Sequence, residues 1–126
     1  MGTIFRFEDL EVWQMARQQC SDICKIINKY RVEKTLADQA TRASASVMDN
    51  IAEGFNRFSR NDVVHFLIIA RGSNAEVRSH YYRMQDQYKT SIKEIELLRF
   101  NSEVLGKKLN SFITYLKNCS YKSKPL

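Results

Sequence analysis

The chain has 126 residues, 44% of them hydrophobic, and a formal net charge of +6. That is one domain, residues 1–126, with one core; a single proline, Pro125, and four glycines exclude turn-rich sheet architectures and predict an all-α class. No apolar run approaches the ~20 residues of a membrane-crossing helix, and the opening Met1-Gly2-Thr3-Ile4-Phe5-Arg6 lacks the basic-then-apolar layout of a signal peptide, so a soluble cytoplasmic protein with no membrane partner is expected.

The first predicted helix covers about residues 9–30. Trp13, Ala16, Cys20, Ile23, Ile27 and Tyr30 are spaced 3, 4, 3, 4, 3, which makes one apolar stripe at helical period. Phe5 and Phe7 are expected to fold back on its first turn. Cys20 and Cys24 share a face, where parallel side chains make poor disulfide geometry. With Cys119 they are read as small core thiols in a reducing compartment.

Thr35 followed by Asp38 is a start signal for the second helix, about 36–55. Its stripe is Leu36, Ala40, Ala43, Val47 and Ile51, widened by Ala52 and Phe55. The small residues between 40 and 46 allow a neighbouring helix to approach closely. Gly54 stands where a helix can end in a left-handed cap.

Ser59 with Asp62 repeats the start signal and opens a third helix, about 61–87. Val63, Phe66, Ala70, Ser73, Val77 and Met84 carry its core spacing, with Tyr81 alongside. Val64, Ile68 and Ile69 fall off that stripe. A segment apolar nearly all round should be covered on more than one side, so these three are assigned to a subunit interface.

Ser91 with Glu94 marks the fourth helix, about 92–118. Ile95, Leu98, Ser102, Leu105, Leu109, Phe112 and Leu116 are again spaced 3 and 4 alternately. Short links between long helices make sequential neighbours antiparallel. The expected fold is an up-and-down antiparallel four-helix bundle.

Charge is unevenly spread. Residues 1–63 hold nine basic and nine acidic side chains, whereas residues 64–126 hold eleven basic and five acidic ones. That bias favours an anionic partner. Arg57, Arg60, Arg71, Arg78, Lys107, Lys108 and Lys117 are the candidate nucleic-acid contacts, with Arg83, Lys122 and Lys124 as further cations. Lys107 and Lys108 are placed together on that basic face. Tyr81, Tyr82, Tyr88, Tyr115 and Tyr121 lie among them as candidate stacking platforms. No helix-turn-helix, zinc or RNA-binding signature points to sequence-specific reading, so contacts to the phosphate backbone are expected.

The stretch Gln39-x-x-Arg42-Ala43-x-x-Ser46-x-x-x-Asn50-Ile51-Ala52-Glu53-Gly54, then Arg57-x-Ser59, then Phe66-Leu67-x-Ile69-Ala70-x-Gly72-Ser73-x-x-Glu76, resembles the four-helix-bundle proteins encoded in 23S rRNA intervening sequences. The early Phe7-Glu8-Asp9-Leu10-x-Val12-Trp13 is similar to that family's opening. The resemblance covers most of the chain. It implies an up-and-down bundle that assembles as a homopentamer, with a biochemical role that is largely unestablished. It also implies similarity in fold to the accessory variability proteins of diversity-generating retroelements, which bind nucleic acid and a reverse transcriptase. Two departures stand out. Val47-Met48-Asp49 replaces an Ile-Pro pair common before the asparagine, and the link Gln85–Ser91 lacks a Leu-Gly turn.

Catalytic chemistry finds little support. Glu53 and Glu76 would be the paired carboxylates of an acid–base or metal site, but no nucleophile, histidine pair or phosphate loop accompanies them. Arg42, Asn50, Glu53, Ser73 and Glu76 are read instead as a structural polar network pinning the second helix to the third. His65 and His80 are about 22 Å apart along one helix, too far to share a metal. The expectation is a non-enzymatic homo-oligomeric bundle with no catalytic residue, cofactor or metal, binding RNA or other nucleic acid through a basic face. The alternative is a protein–protein scaffold or adaptor that recruits a protein partner.

Overall fold

The computed structural model describes residues 4–88 and 92–119. Four α-helices account for nearly all of them: α1 (Glu11–Tyr30), α2 (Lys34–Phe55), α3 (Arg60–Tyr88) and α4 (Ile92–Lys117). A 3-10 turn, Phe7–Asp9, precedes α1. Cross-helix contacts give the directions. Gln39 reaches Arg83, and Ser46 reaches Ser73, so α2 and α3 run antiparallel. Lys29 pairs with Glu94 and Lys108 with Glu11, so α4 runs antiparallel to α1. The arrangement is the expected up-and-down four-helix bundle. No helix of the described residues is long and apolar enough to cross a membrane.

Each helix boundary has a local cause. Phe7 folds back on α1 and meets Trp13 edge-on at 5.1 Å, while Phe5 is 83% exposed and does not. Arg31 closes α1 in the left-handed conformation, φ 52°. A residue with a Cβ accepts that strain where a tight reversal leaves no alternative. The α2 cap is Glu33 rather than Thr35. Its carboxylate accepts from the backbone N–H groups of Thr35 and Leu36 at 2.9 and 2.8 Å, satisfying two donors that the helix leaves orphaned. Those bonds hold the Glu33 carboxyl below the usual carboxylate range. Asp38 instead pairs with Lys34 at 2.8 Å. Ser59 does start α3, its hydroxyl accepting from the Asp62 N–H at 3.4 Å. Ser91 lies outside the described residues.

Gly54 is not a left-handed cap. No glycine among the described residues has positive φ, and Gly54 sits buried inside the last turn of α2. It is there for proximity, since a Cβ built on it would meet the Phe66 Cβ at 2.9 Å.

The core follows the predicted stripes with small rotations. All five predicted α2 core residues are buried, as are six of the seven in α4. Ile113 takes the buried place expected of Phe112, and Leu67 that of Phe66. In α1 the stripe turns by one position: Val12, Gln19 and Ile26 are buried with Trp13, Ala16 and Ile23, leaving Cys20, Ile27 and Tyr30 half-buried. A stripe drawn at 3.5 residues per turn drifts from a 3.6-residue helix, which explains the slip. All three cysteines are free; Cys20 is half-buried against Met48, and Cys24 is exposed rather than a core thiol.

Candidate functional site

Two features organise the polar chemistry. The first is a buried layer across the bundle centre. Asn74 on α3 is 3% exposed. Its Oδ1 accepts from Gln19 Nε2 of α1 at 3.1 Å and from Ser102 Oγ of α4 at 3.2 Å. Its Nδ2 donates to the Ser102 carbonyl at 2.9 Å. Three helices are thus joined by one amide whose orientation the Ser102 carbonyl dictates, because only a donor fits against it. Gly106 lets Asn74 in, since a Cβ there would stand 3.2 Å from Nδ2. A buried hydrogen-bonded network of this kind fixes helix register. Sequence reasoning missed Gln19 and Asn74. The signal was present, as both fall at core spacing, but a polar residue at such a position reads as a gap.

The predicted network between α2 and α3 forms only in part. Ser46 and Ser73 share a 2.8 Å hydrogen bond, and Asn50 donates to the Ser46 carbonyl at 2.8 Å and hydroxyl at 3.1 Å. Glu53 turns to Arg57 within its own chain segment at 2.9 Å. Arg42 and Glu76 are exposed and make no ion pair among the described residues. Glu53 and Glu76 are also about ten residues out of register across the helix pair, ~15 Å along the axis. They are neither a carboxylate pair nor part of the clamp. Among the described residues no three His, Cys, Asp or Glu side chains gather where they could hold a metal.

The second feature is a shallow groove of about 370 Å3 between α3 and α4, lined by Arg71, Arg78, Glu103, Gly106, Lys107 and Asn110. Arg71 and Arg78 are seven residues apart and so lie on one face of α3. Lys107 and Asn110 face them from α4. Arg71 donates to Asn110 Oδ1 at 2.7 Å, which holds its guanidinium over the groove. Arg78 and Lys107 make no ion pair among the described residues. Both side chains are exposed, with the Glu103 carboxylate lining the same groove.

The remaining candidate cations are dispersed. Lys108 is rotated by about 100° from Lys107 around α4 and pairs with Glu11 of α1 at 3.0 Å, so the two lysines do not share a face. Arg57 lies over the Phe66 ring at 4.7 Å while pairing with Glu53. Arg60 is half-buried in the first turn of α3, and Lys117 is exposed in the last turn of α4. Of the tyrosines, Tyr81 is buried, 1% exposed, and has no face to offer a base. The Tyr88 hydroxyl accepts from the Glu33 N–H at 2.7 Å. Tyr82 is covered on one side by Arg99 at 4.2 Å. Tyr115 is exposed. Lys122, Lys124 and Tyr121 lie outside the described residues.

Ile68 and Ile69 are 37% and 38% exposed, while Val64 is half-buried and packs against the core. A larger apolar display escaped the sequence reading. Leu97, Phe100 and Tyr115 on α4 are each about 60% exposed.

The fold has a solved counterpart. It is similar to a crystal structure of a protein of unknown function from the S23 ribosomal protein family of Bacteroides thetaiotaomicron VPI-5482, with TM-score 0.74 and 22% identity over 81% of this chain and 97% of that one. At that identity the likeness speaks for the fold alone. No curated protein matches the chain. Residues 8–111 match the profile of the 23S rRNA-intervening sequence proteins, and this chain belongs to that family.

Proposed function

We propose that the chain is a non-enzymatic, cytoplasmic helical bundle that assembles as a homo-oligomer, a pentamer by family resemblance, and binds the phosphate backbone of RNA or another nucleic acid. The observation carrying this reading is the α3–α4 groove, where Arg71, Arg78 and Lys107 converge with one carboxylate, Glu103, among them. Arg71 and Arg78 are ~10 Å apart along α3. That span covers several phosphates of one strand at 3.4 Å axial spacing. An oligomer repeats the groove in every subunit. The expected binding is electrostatic and indifferent to base sequence.

The test is a salt titration of affinity for a single-stranded RNA. Three neutralised phosphates per subunit give a log–log slope of about −2 at least, since each contributes about −0.7. Salt-independent binding, or none at low salt, overturns the reading.

The adaptor alternative is favoured by one observation, the exposed Leu97, Phe100 and Tyr115 on α4. It predicts that one protein partner stays bound after nuclease treatment and is released by Phe100→Ser. Isoleucines 68 and 69 carry the assembly reading. Ile68→Asp should yield monomers by light scattering, and an intact oligomer overturns the assignment.

A further inference from the structure

The α3–α4 groove does not end at its cations. Tyr82 stands one turn beyond Arg78 on the same side of α3, about 6 Å further along the axis. Its ring is 50% exposed. The Arg99 guanidinium, from α4, lies over one face at 4.2 Å from the ring centre. Arg99 is half-buried and donates to Gln85 Oε1 of α3. That bond holds the guanidinium in place over the ring. One face of Tyr82 is thus covered by a fixed cation, and the other is open to water.

No other described tyrosine offers such a face to the groove. Tyr81 is buried, Tyr88 accepts from the Glu33 N–H, and Tyr30 donates to Glu94. Tyr115 is exposed, but it lies eight residues beyond Lys107 and is rotated by about 80° around α4.

The charge of the seam changes sign at the same point. From Arg71 through Lys107 and Arg78 to Arg99 it carries cations, with Glu103 among them. About one turn past Tyr82 and Arg99 come Asp86 on α3 and Glu96 on α4, both exposed. A phosphate is drawn along the cations and repelled beyond the ring. The open face of Tyr82 therefore suits a flat, uncharged group. A nucleobase is such a group, and its stacking on an aromatic ring tolerates any base.

We infer that the groove takes single-stranded nucleic acid in particular, with one unpaired base stacked on the open face of Tyr82, opposite Arg99. The assignment rests on the phosphate-backbone reading above and adds to it the state of the strand. In a duplex the bases stack on one another and their faces are closed, so a duplex reaches the cations but not the ring. Arg71 to Tyr82 spans about 16 Å along α3, the length of about five nucleotides at 3.4 Å each. Arg99 acts through Tyr82 and is a positioning residue.

The experiment measures the affinity of the full-length protein for three ligands of one length, about eight nucleotides. They are an oligoadenylate, the same backbone lacking its bases, and the oligoadenylate paired with its complement. The first two carry equal charge and differ only in what can stack. The oligoadenylate should bind about tenfold tighter than the abasic backbone. Tyr82→Ser should remove that difference, Tyr82→Phe should keep it, and neither should alter duplex affinity. Stacking releases no counterions, so Tyr82→Ser lowers oligoadenylate affinity at every salt concentration and leaves the log–log slope in place. Loss of a groove cation changes that slope instead. The comparison of oligoadenylate with abasic backbone needs no variant, so it decides the matter even if Tyr82→Ser is unstable. Equal affinity for those two ligands, or equal losses for single strand and duplex in Tyr82→Ser, overturns the stacking assignment and leaves the phosphate reading standing. Binding of none of the three overturns both.

Discussion

Gly54 and Phe66 bring α2 and α3 to within one missing methyl group of each other: a Cβ on Gly54 would lie 2.9 Å from the Phe66 Cβ. A Cβ is anchored to its backbone and cannot swing aside. Gly54→Ala should therefore push the helices apart and cost about 2 kcal/mol. Gly72 is the internal control. Nothing lies within 4 Å of a Cβ placed there, so Gly72→Ala should stabilise by about 1 kcal/mol through helix propensity. Urea denaturation of both variants checks the opposite signs.

Asn74 closes the central polar layer. Asn74→Leu strands the buried Gln19 amide and removes the extra hydrogen bond to the Ser102 carbonyl, and should cost about 2 kcal/mol. Asn110→Ala, an exposed amide on α4, should change stability by less than about 0.5 kcal/mol. The same denaturation midpoints decide it, and equal effects would remove the layer's structural role.

His80 is 7% exposed, and its Nδ1 has no hydrogen-bond partner. Burial, and then the charge of Arg83, lower its pKa below the ordinary 6.5, with Glu76 opposing. Below pH 6.5 the unfolded chain takes up a proton that the native imidazole resists. Stability is thus complete above 6.5 and is lost as pH falls from there toward the lower native value. His80→Gln should flatten the decline in melting temperature between pH 7.5 and 5.5. An unchanged slope would locate the pH dependence elsewhere.

Lys107 and Lys108 are neighbours in sequence with different surroundings. Lys107 lines the α3–α4 groove, and Lys108 pairs with Glu11. Lys107→Glu should weaken RNA binding and flatten the salt slope by at least about 0.7. Lys108→Glu should leave the slope in place and instead disturb the α1–α4 contact through repulsion with Glu11. Matching losses of affinity would mean the groove is not the binding face.

Much of the fold was legible in the chain itself. Helix number, order and approximate limits follow from apolar spacing and from scarce proline and glycine, since period and chain-breaking are local properties. The α2 stripe from Leu36 to Ile51 is an example: every predicted position is buried. The tertiary structure decided what depends on a neighbour's position. Glu33 rather than Thr35 caps α2 because the chain reverses at Arg31. Gly54 serves close approach rather than termination because Phe66 lies against it. Asn74 is a hub because Gln19 and Ser102 arrive from two other helices. Lys107 and Lys108 part company because a helix turns about 100° per residue. Periodicity states which residues face inward, but only the packed bundle states what each of them faces, and charge and hydrogen bonding depend on that.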